Sequence, residues 1–103
     1  MDEQIYLVLK TKWFEMIRSG EKREEYRDLS PHWKRRLMPD GKTIRQFRTI
    51  RFRLGYRAGA PDMIVECKKV RIGPAKTKWS GGSTNDYFVF MLGDILKGHR
   101  QVR

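Results

Sequence analysis

The sequence predicts an α+β fold, a small mixed β-barrel of about five strands with two short helices. Three observations carry that expectation. Residues 47–54, Phe-Arg-Thr-Ile-Arg-Phe-Arg-Leu, alternate apolar and polar, which is the period of a half-buried strand. Trp13, Met16 and Ile17 stand three and four apart, so one helix face is apolar there. A chain of 103 residues can build one modest core and not two, so these elements share it.

Ile5 to Leu9 reads as a first strand, apolar on both faces and hence expected at the centre of the sheet. A helix over Lys12–Ser19 follows, with Thr11 as its cap and Gly20 supplying the left-handed residue that ends it. A second strand is expected over about Lys22–Arg27, with Arg23, Glu25 and Arg27 on one face and Glu24 and Tyr26 on the other. Ser30-Pro31 signals a second helix start, running to about Leu37, with Trp33 and Leu37 inward and Lys34, Arg35 and Arg36 outward. Pro39-Asp40-Gly41 then turns the chain.

In the strand over 47–54, Ile50, Phe52 and Leu54 face the core, opposite Thr49, Arg51 and Arg53. Gly55 to Asp62 is a loop carrying Tyr56 and Arg57. The next strand, from about Met63 to Ile72, switches apolar parity between Cys67 and Val70, which predicts a β-bulge near Lys68-Lys69 of the kind that curves a sheet. Gly73 to Asp86 is a long polar connection in which Trp79 either plugs the barrel end or offers a stacking face. Tyr87 to Leu92 is a final strand apolar on both faces, and residues 97–103 are a basic tail expected to fray, leaving one domain over 1–96.

Charge narrows the function classes. The formal net charge is +11, and a balance of that size points to a polyanionic partner, because Lys and Arg contacts to phosphate release counterions. The excess is concentrated. Nine basic residues fall between Lys34 and Arg57 against one acid, Asp40. Arginine dominates there, and its planar fork suits phosphates and base stacking. No basic amphipathic helix with a wide apolar face accompanies the charge, so lipid is the weaker fit. The acidic Met-Asp-Glu-Gln start has no signal-peptide core, and the longest apolar run, 87–92, cannot span a bilayer, so a cytoplasmic protein is expected. A single cysteine, Cys67, excludes an intrachain disulfide framework and a multi-cysteine metal site; a buried hydrophobe is its expected role. No metal-ligand spacing, phosphate loop or nucleophile elbow is present, and no cofactor or metal is implied.

Two constellations remain. Lys22, Glu25 and Arg27, with Lys10 and Lys12 nearby in sequence, form either a polar cleft or a surface ion-pair ladder of small energetic value. Arg51, Arg53, Tyr56 and Arg57 combine charge with an aromatic face, as single-stranded RNA recognition requires, although a solvated strand face would space its arginines in the same way. His32 and His99 are the one histidine pair that can share general-acid and general-base duties, but they lie in separate segments, a helix start and the tail.

A strand ending in Leu9-Lys10, then Lys12-Trp13, a short helix, and Ser-Gly-Glu-Lys-x-x-Glu-Tyr-Arg over 19–27 resembles the opening signature of the ASCH domain, of the PUA-like superfamily of small β-barrels. The match covers residues 7–27. After the lysine the family pattern carries a hydroxyl residue and then an aliphatic one; this chain has Arg23 and Glu24. The resemblance implies a PUA-like barrel that binds RNA or a nucleotide in a cleft between helix and barrel, with Lys22, Glu25 and Arg27 at its mouth, joined in sequence by Lys10 and Lys12; the pattern of charge and aromatics adds Arg51, Arg53, Tyr56, Arg57 and Trp79 as candidate nucleic-acid contacts. Some family members are amidohydrolases acting on acylated cytidine, and ribonuclease activity is ascribed to others. The amidohydrolases use a lysine, a hydroxyl residue three positions later and a distant glutamate. Lys22 matches the lysine, Glu25 occupies the hydroxyl position, and Glu66 is the one glutamate in the second half of the chain.

Overall fold

A computed structural model describes residues 2–98; His99 and the rest of the basic tail lie outside the described residues, and so does the histidine pair that needs His99. The elements are β1 (Asp2–Leu9), α1 (Thr11–Arg18), β2 (Glu24–Arg27), α2 (Pro31–Leu37), β3 (Phe47–Leu54), β4 (Asp62–Pro74) and β5 (Asp86–Lys97), with one turn of 3-10 helix over Thr77–Trp79. The five strands form one mixed sheet in the order β1-β3-β4-β5-β2, curled into a half-barrel. β1 and β3 run parallel, and every other neighbouring pair is antiparallel. Among the described residues no helix is long and apolar enough to cross a membrane.

The core follows from alternation. Ile5, Leu7 and Leu9 of β1, Ile50 and Phe52 of β3, Met63, Val65 and Val70 of β4, and Phe88 and Phe90 of β5 are buried in one cluster inside the curl. Each such side chain contributes about 1.5–3 kcal/mol by leaving water. α1 adds Phe14 and Ile17, and α2 adds Leu37. Ser30 caps α2 as its sequence predicts, its hydroxyl accepting from the Trp33 N–H at 3.3 Å with Pro31 at the first helical position.

Several expectations are corrected. β1 is an edge strand, paired to β3 alone, because only one of its faces is covered; Tyr6 is 62% exposed. Thr11 lies inside α1 rather than capping it, and Lys10 takes the cap position with no side-chain bond. Phe14 rather than Trp13 fills the core below the helix, leaving Trp13 and Met16 half-buried. Trp33 is likewise half-buried, while Phe47 joins the core. The irregularity expected near Lys68-Lys69 is present as a register shift between Cys67 and Lys69, and two further shifts, between Ile64 and Val65 and between Val65 and Cys67, extend it along the pairing of β4 with β5. Beyond them Val70 is buried, while Ile72 is 41% exposed although it stands opposite the buried Phe88. β5 extends to Lys97, so the strand takes in residues that read as the start of the tail.

Trp79 and Val89 are also buried, but outside the main cluster. Val89 stands opposite Tyr26 and Arg71 on the outer face of the curl, so the final strand does have both faces covered.

Cys67 is buried on β4, and burial pushes its thiol up to about 11. At pH 8 roughly one thiol in a thousand is then the reactive thiolate. Iodoacetamide at pH 8 is therefore expected to modify Cys67 far more slowly in the native protein than in denaturant. Equal rates in the two states would place the thiol at the surface.

Candidate functional site

The site starts at the end of α1. Ser19 and Gly20 donate their N–H groups to Glu15 and Ile17, and Gly20 takes a φ of +88°, where a side chain would be strained. The chain reverses tightly, and the Lys22 N–H returns to the Met16 carbonyl at 2.9 Å. That clamp aims the Lys22 side chain inward, and none of it is exposed.

A buried ammonium requires partners. Lys22 Nζ donates to Glu25 Oε1 at 2.7 Å and to the Glu24 carbonyl at 2.5 Å. Its remaining surroundings are aromatic, with the Tyr26 and Trp13 ring centroids at 5.1 and 5.3 Å. Burial is the largest influence on its pKa and holds the amine below its ordinary value, while the Glu25 carboxylate pulls it back up. The other Glu25 oxygen lies 3.1 Å from Arg27 Nη2, so the carboxylate is bracketed by two cations. Arg27 Nη2 also donates to the Val8 carbonyl at 2.9 Å. Val8 is on β1 and Arg27 on β2, the two edges of the open sheet. One guanidinium thus joins the edges where no strand pairing does.

This junction floors a cleft of about 860 Å³. The strand ends and the start of α1 contribute Val8, Leu9, Lys10, Thr11 and Trp13; β2 contributes Glu25, Tyr26 and Arg27. Tyr56 and Arg57 come from the β3–β4 loop, and Trp79, Ser80 and Tyr87 from the far rim. The rim is held by Tyr26, whose hydroxyl donates to Glu24 Oε1 at 2.7 Å and accepts the Lys76 N–H at 3.0 Å. Burial, first of all, raises the Tyr26 phenol above its ordinary value and keeps it a donor. Trp79 is bracketed by Lys78 and Lys76, 4.7 and 5.8 Å from its ring centroid. Its Nε1 and Arg27 Nε are buried without hydrogen-bond partners.

Of the residues singled out from sequence, Lys10, Glu25, Arg27, Tyr56, Arg57 and Trp79 meet at this cleft, and Lys22 stands behind Glu25. Lys12 lies over Trp13 at 4.7 Å. Arg51 and Arg53 lie elsewhere, on the outer face of β3. The Arg51 Nε donates to Asp62 Oδ2 at 2.7 Å, and this bond raises the guanidinium pKa further. Glu66 is exposed on β4, accepts from the Asp94 N–H at 3.3 Å and belongs to neither the cleft nor the Lys22 pair. Sequence reading missed the cleft residues Trp13, Tyr26 and Tyr87. Tyr26 and Trp13 lie within the motif, and their aromatic character beside Lys22 was the available signal.

The chain matches no family model, no curated protein and no solved structure.

Two outcomes follow from the buried charges. Lys22→Met leaves Glu25 half-paired and should cost about 3 kcal/mol in urea unfolding, at the low end for a broken buried pair because Arg27 remains. The double variant Lys22→Met/Glu25→Leu should cost clearly less than the sum of the singles; additive costs would show the pair is not coupled. The sign with pH is also fixed. A lowered native pKa means the unfolded chain binds the extra proton between the native value and the ordinary 10.5. The stability of wild type relative to Lys22→Met should therefore rise as pH climbs through that window.

Tyr26→Phe removes both bonds of the hydroxyl. It should lose about 1 kcal/mol and speed hydrogen exchange at the Lys76 amide, measured by NMR. Unchanged exchange there would mean that the rim is held by other contacts.

Proposed function

We propose that the protein is an ASCH-like domain of the PUA-like kind that binds single-stranded RNA, with one nucleotide seated in the cleft. The observation that carries this reading is the convergence of Lys10, Arg27 and Arg57 with Trp13, Tyr56 and Trp79 around one carboxylate, Glu25. Phosphate needs the cations, an unstacked base needs a π-face, and base edges need both acceptors and donors. Tyr56 is 87% exposed on its loop, so its ring is open to a base. Each Glu25 oxygen already has a cationic partner and keeps a second lone pair for a base amino group.

A second reading, hydrolysis of acylated cytidine or of RNA, is favoured by one observation. Burial lowers the Lys22 amine in the direction that a general base requires. Against it stands the Glu25 contact at 2.7 Å, which stabilises the ammonium and makes Lys22 an anchor.

Fluorescence anisotropy with a labelled single-stranded RNA tests the first reading. Affinity should fall steeply with added salt. Tyr56→Ala should weaken binding by about 1–3 kcal/mol, the worth of one stacked base. Binding indifferent to salt, or a tight complex with an acidic protein and none with RNA, overturns it. Turnover of acylated cytidine that disappears in Lys22→Ala while binding survives establishes the second.

A further inference from the structure

The outer face of β1 and β3 carries two rows of side chains that begin outside the cleft, at Tyr6 and Arg51, and run into it. The strands are parallel and in register, with Tyr6 opposite Arg51 and Val8 opposite Arg53. Tyr6, Val8 and Lys10 follow one another at two-residue spacing, so the row spans roughly 13 Å and ends in the cleft. Val8 is common to both surfaces. On β3 the parallel row is Arg51, Arg53 and then the loop with Tyr56 and Arg57. Arg53 Nη2 donates to the Arg57 carbonyl at 2.8 Å, which ties that loop to the outer face.

The arginines of this face are not equivalent. Arg48 lies 3.5 Å from Glu3, and Arg51 is bonded to Asp62. Among the described residues neither Arg53 nor Arg57 forms an ion pair. On this face the cations without a carboxylate partner are therefore Arg57, which lines the cleft, and Arg53 beside it. Beyond it stands an aromatic platform, Tyr6, with the Arg51 guanidinium held 5.5 Å from its centroid.

We infer that the cleft opens onto a track for the flanking nucleotides of a single strand, with phosphate on Arg57 and Arg53 and the next base on Tyr6. The inference rests on the cleft seating one nucleotide of a single strand and adds the path by which the neighbouring nucleotides leave it, over Arg53 and Tyr6. A free nucleotide has nothing to place on Arg53 or Tyr6. A strand leaving the cleft meets charge first and a stacking face second, the arrangement used on single-stranded nucleic acid.

The test is a length ladder of single-stranded oligouridylates, from the mononucleotide to the hexamer, titrated by calorimetry against wild type, Arg53→Glu, Tyr6→Ala and Tyr56→Ala. None of Arg53, Tyr6 or their neighbours Arg51 and Asp62 lines the cleft; Tyr6→Ala leaves the lining untouched, while Arg53→Glu also gives up the bond to the Arg57 carbonyl, and the mononucleotide titration reports any effect of that loss on the cleft. Wild-type affinity should rise with length. Arg53→Glu and Tyr6→Ala should each lower hexamer affinity by roughly tenfold and mononucleotide affinity by less than about twofold. Tyr56→Ala should weaken every length. A hexamer that binds no better than the mononucleotide, or that binds Arg53→Glu as tightly as wild type, overturns the track while leaving the cleft reading in place. No binding at any length overturns both.

Discussion

The arrangement depends on one buried ion pair. Lys22 has no exposed side-chain surface and Glu25 has 7%. Taking both charges out of water costs several kcal/mol each, and their attraction offsets this only where geometry and further hydrogen bonds are good. The geometry is supplied locally. Gly20 permits the reversal, the Met16 carbonyl clamps the Lys22 backbone, and the Glu24 carbonyl takes a second ammonium hydrogen. A hydrophobic pair would fill the same space at lower cost. What it would not do is hold Glu25 at the cleft with its second oxygen against Arg27, or hold Arg27 against Val8. The pair therefore links the helix turn to the seam between the two sheet edges. The energetic expense is local, while the consequence is the shape of the cleft.

The seam explains why the half-barrel stays open where it does. Strand pairing between β1 and β2 would close it and bury the edge groups by hydrogen bonding. Instead one guanidinium spans the gap, and the space around it is the cleft. The aromatics nearby show the same preference for cations. Trp13 sits between Lys12 and Lys22, Trp33 between Arg27 and Arg36, and Trp79 between Lys76 and Lys78. Each large ring gives a basic chain somewhere to place charge at favourable energy. In a protein with a net charge of +11, this lets three indoles be packed without three acidic partners.

Much of this was legible from local pattern. Alternation over 47–54 named β3, Ser30-Pro31 named the start of α2, and Gly20 named the end of α1, because each depends only on neighbours in sequence. Lys22, Glu25 and Arg27 read in sequence as either a cleft or a surface ladder; the structure buries Lys22 and Glu25 and sets Glu25 and Arg27 in the cleft wall. The rest was decided by tertiary partners. Ile5 to Leu9 looked central because Val8 is apolar, yet its place at an edge follows from which strand it pairs with. Phe14 takes the core position under the helix, and Trp13 lines the cleft instead. Arg51 and Arg53 looked equivalent in sequence; Asp62, eleven residues from Arg51, separates them. Trp79 offered two readings, a plug or a stacking face, and its burial at the cleft rim depends on a tyrosine hydroxyl fifty residues away from its anchor at Lys76.

Net charge alone overstates what the surface offers a polyanion. Lys22 is buried, and Arg27, Arg45 and Arg51 have carboxylates beside them. An arginine already bonded to an acid gains less from a phosphate, since the first contact has to be weakened to make the second. The cations with most to gain are those without such partners, and on the face that adjoins the cleft these are Arg53 and Arg57. Selectivity in such a protein then comes from where acids have been placed as much as from where the bases are. Asp62 removes Arg51 from competition for phosphate and leaves it as a support for Tyr6. Glu25 does the same to Lys22 and turns a buried cation into a means of holding a carboxylate in the cleft wall.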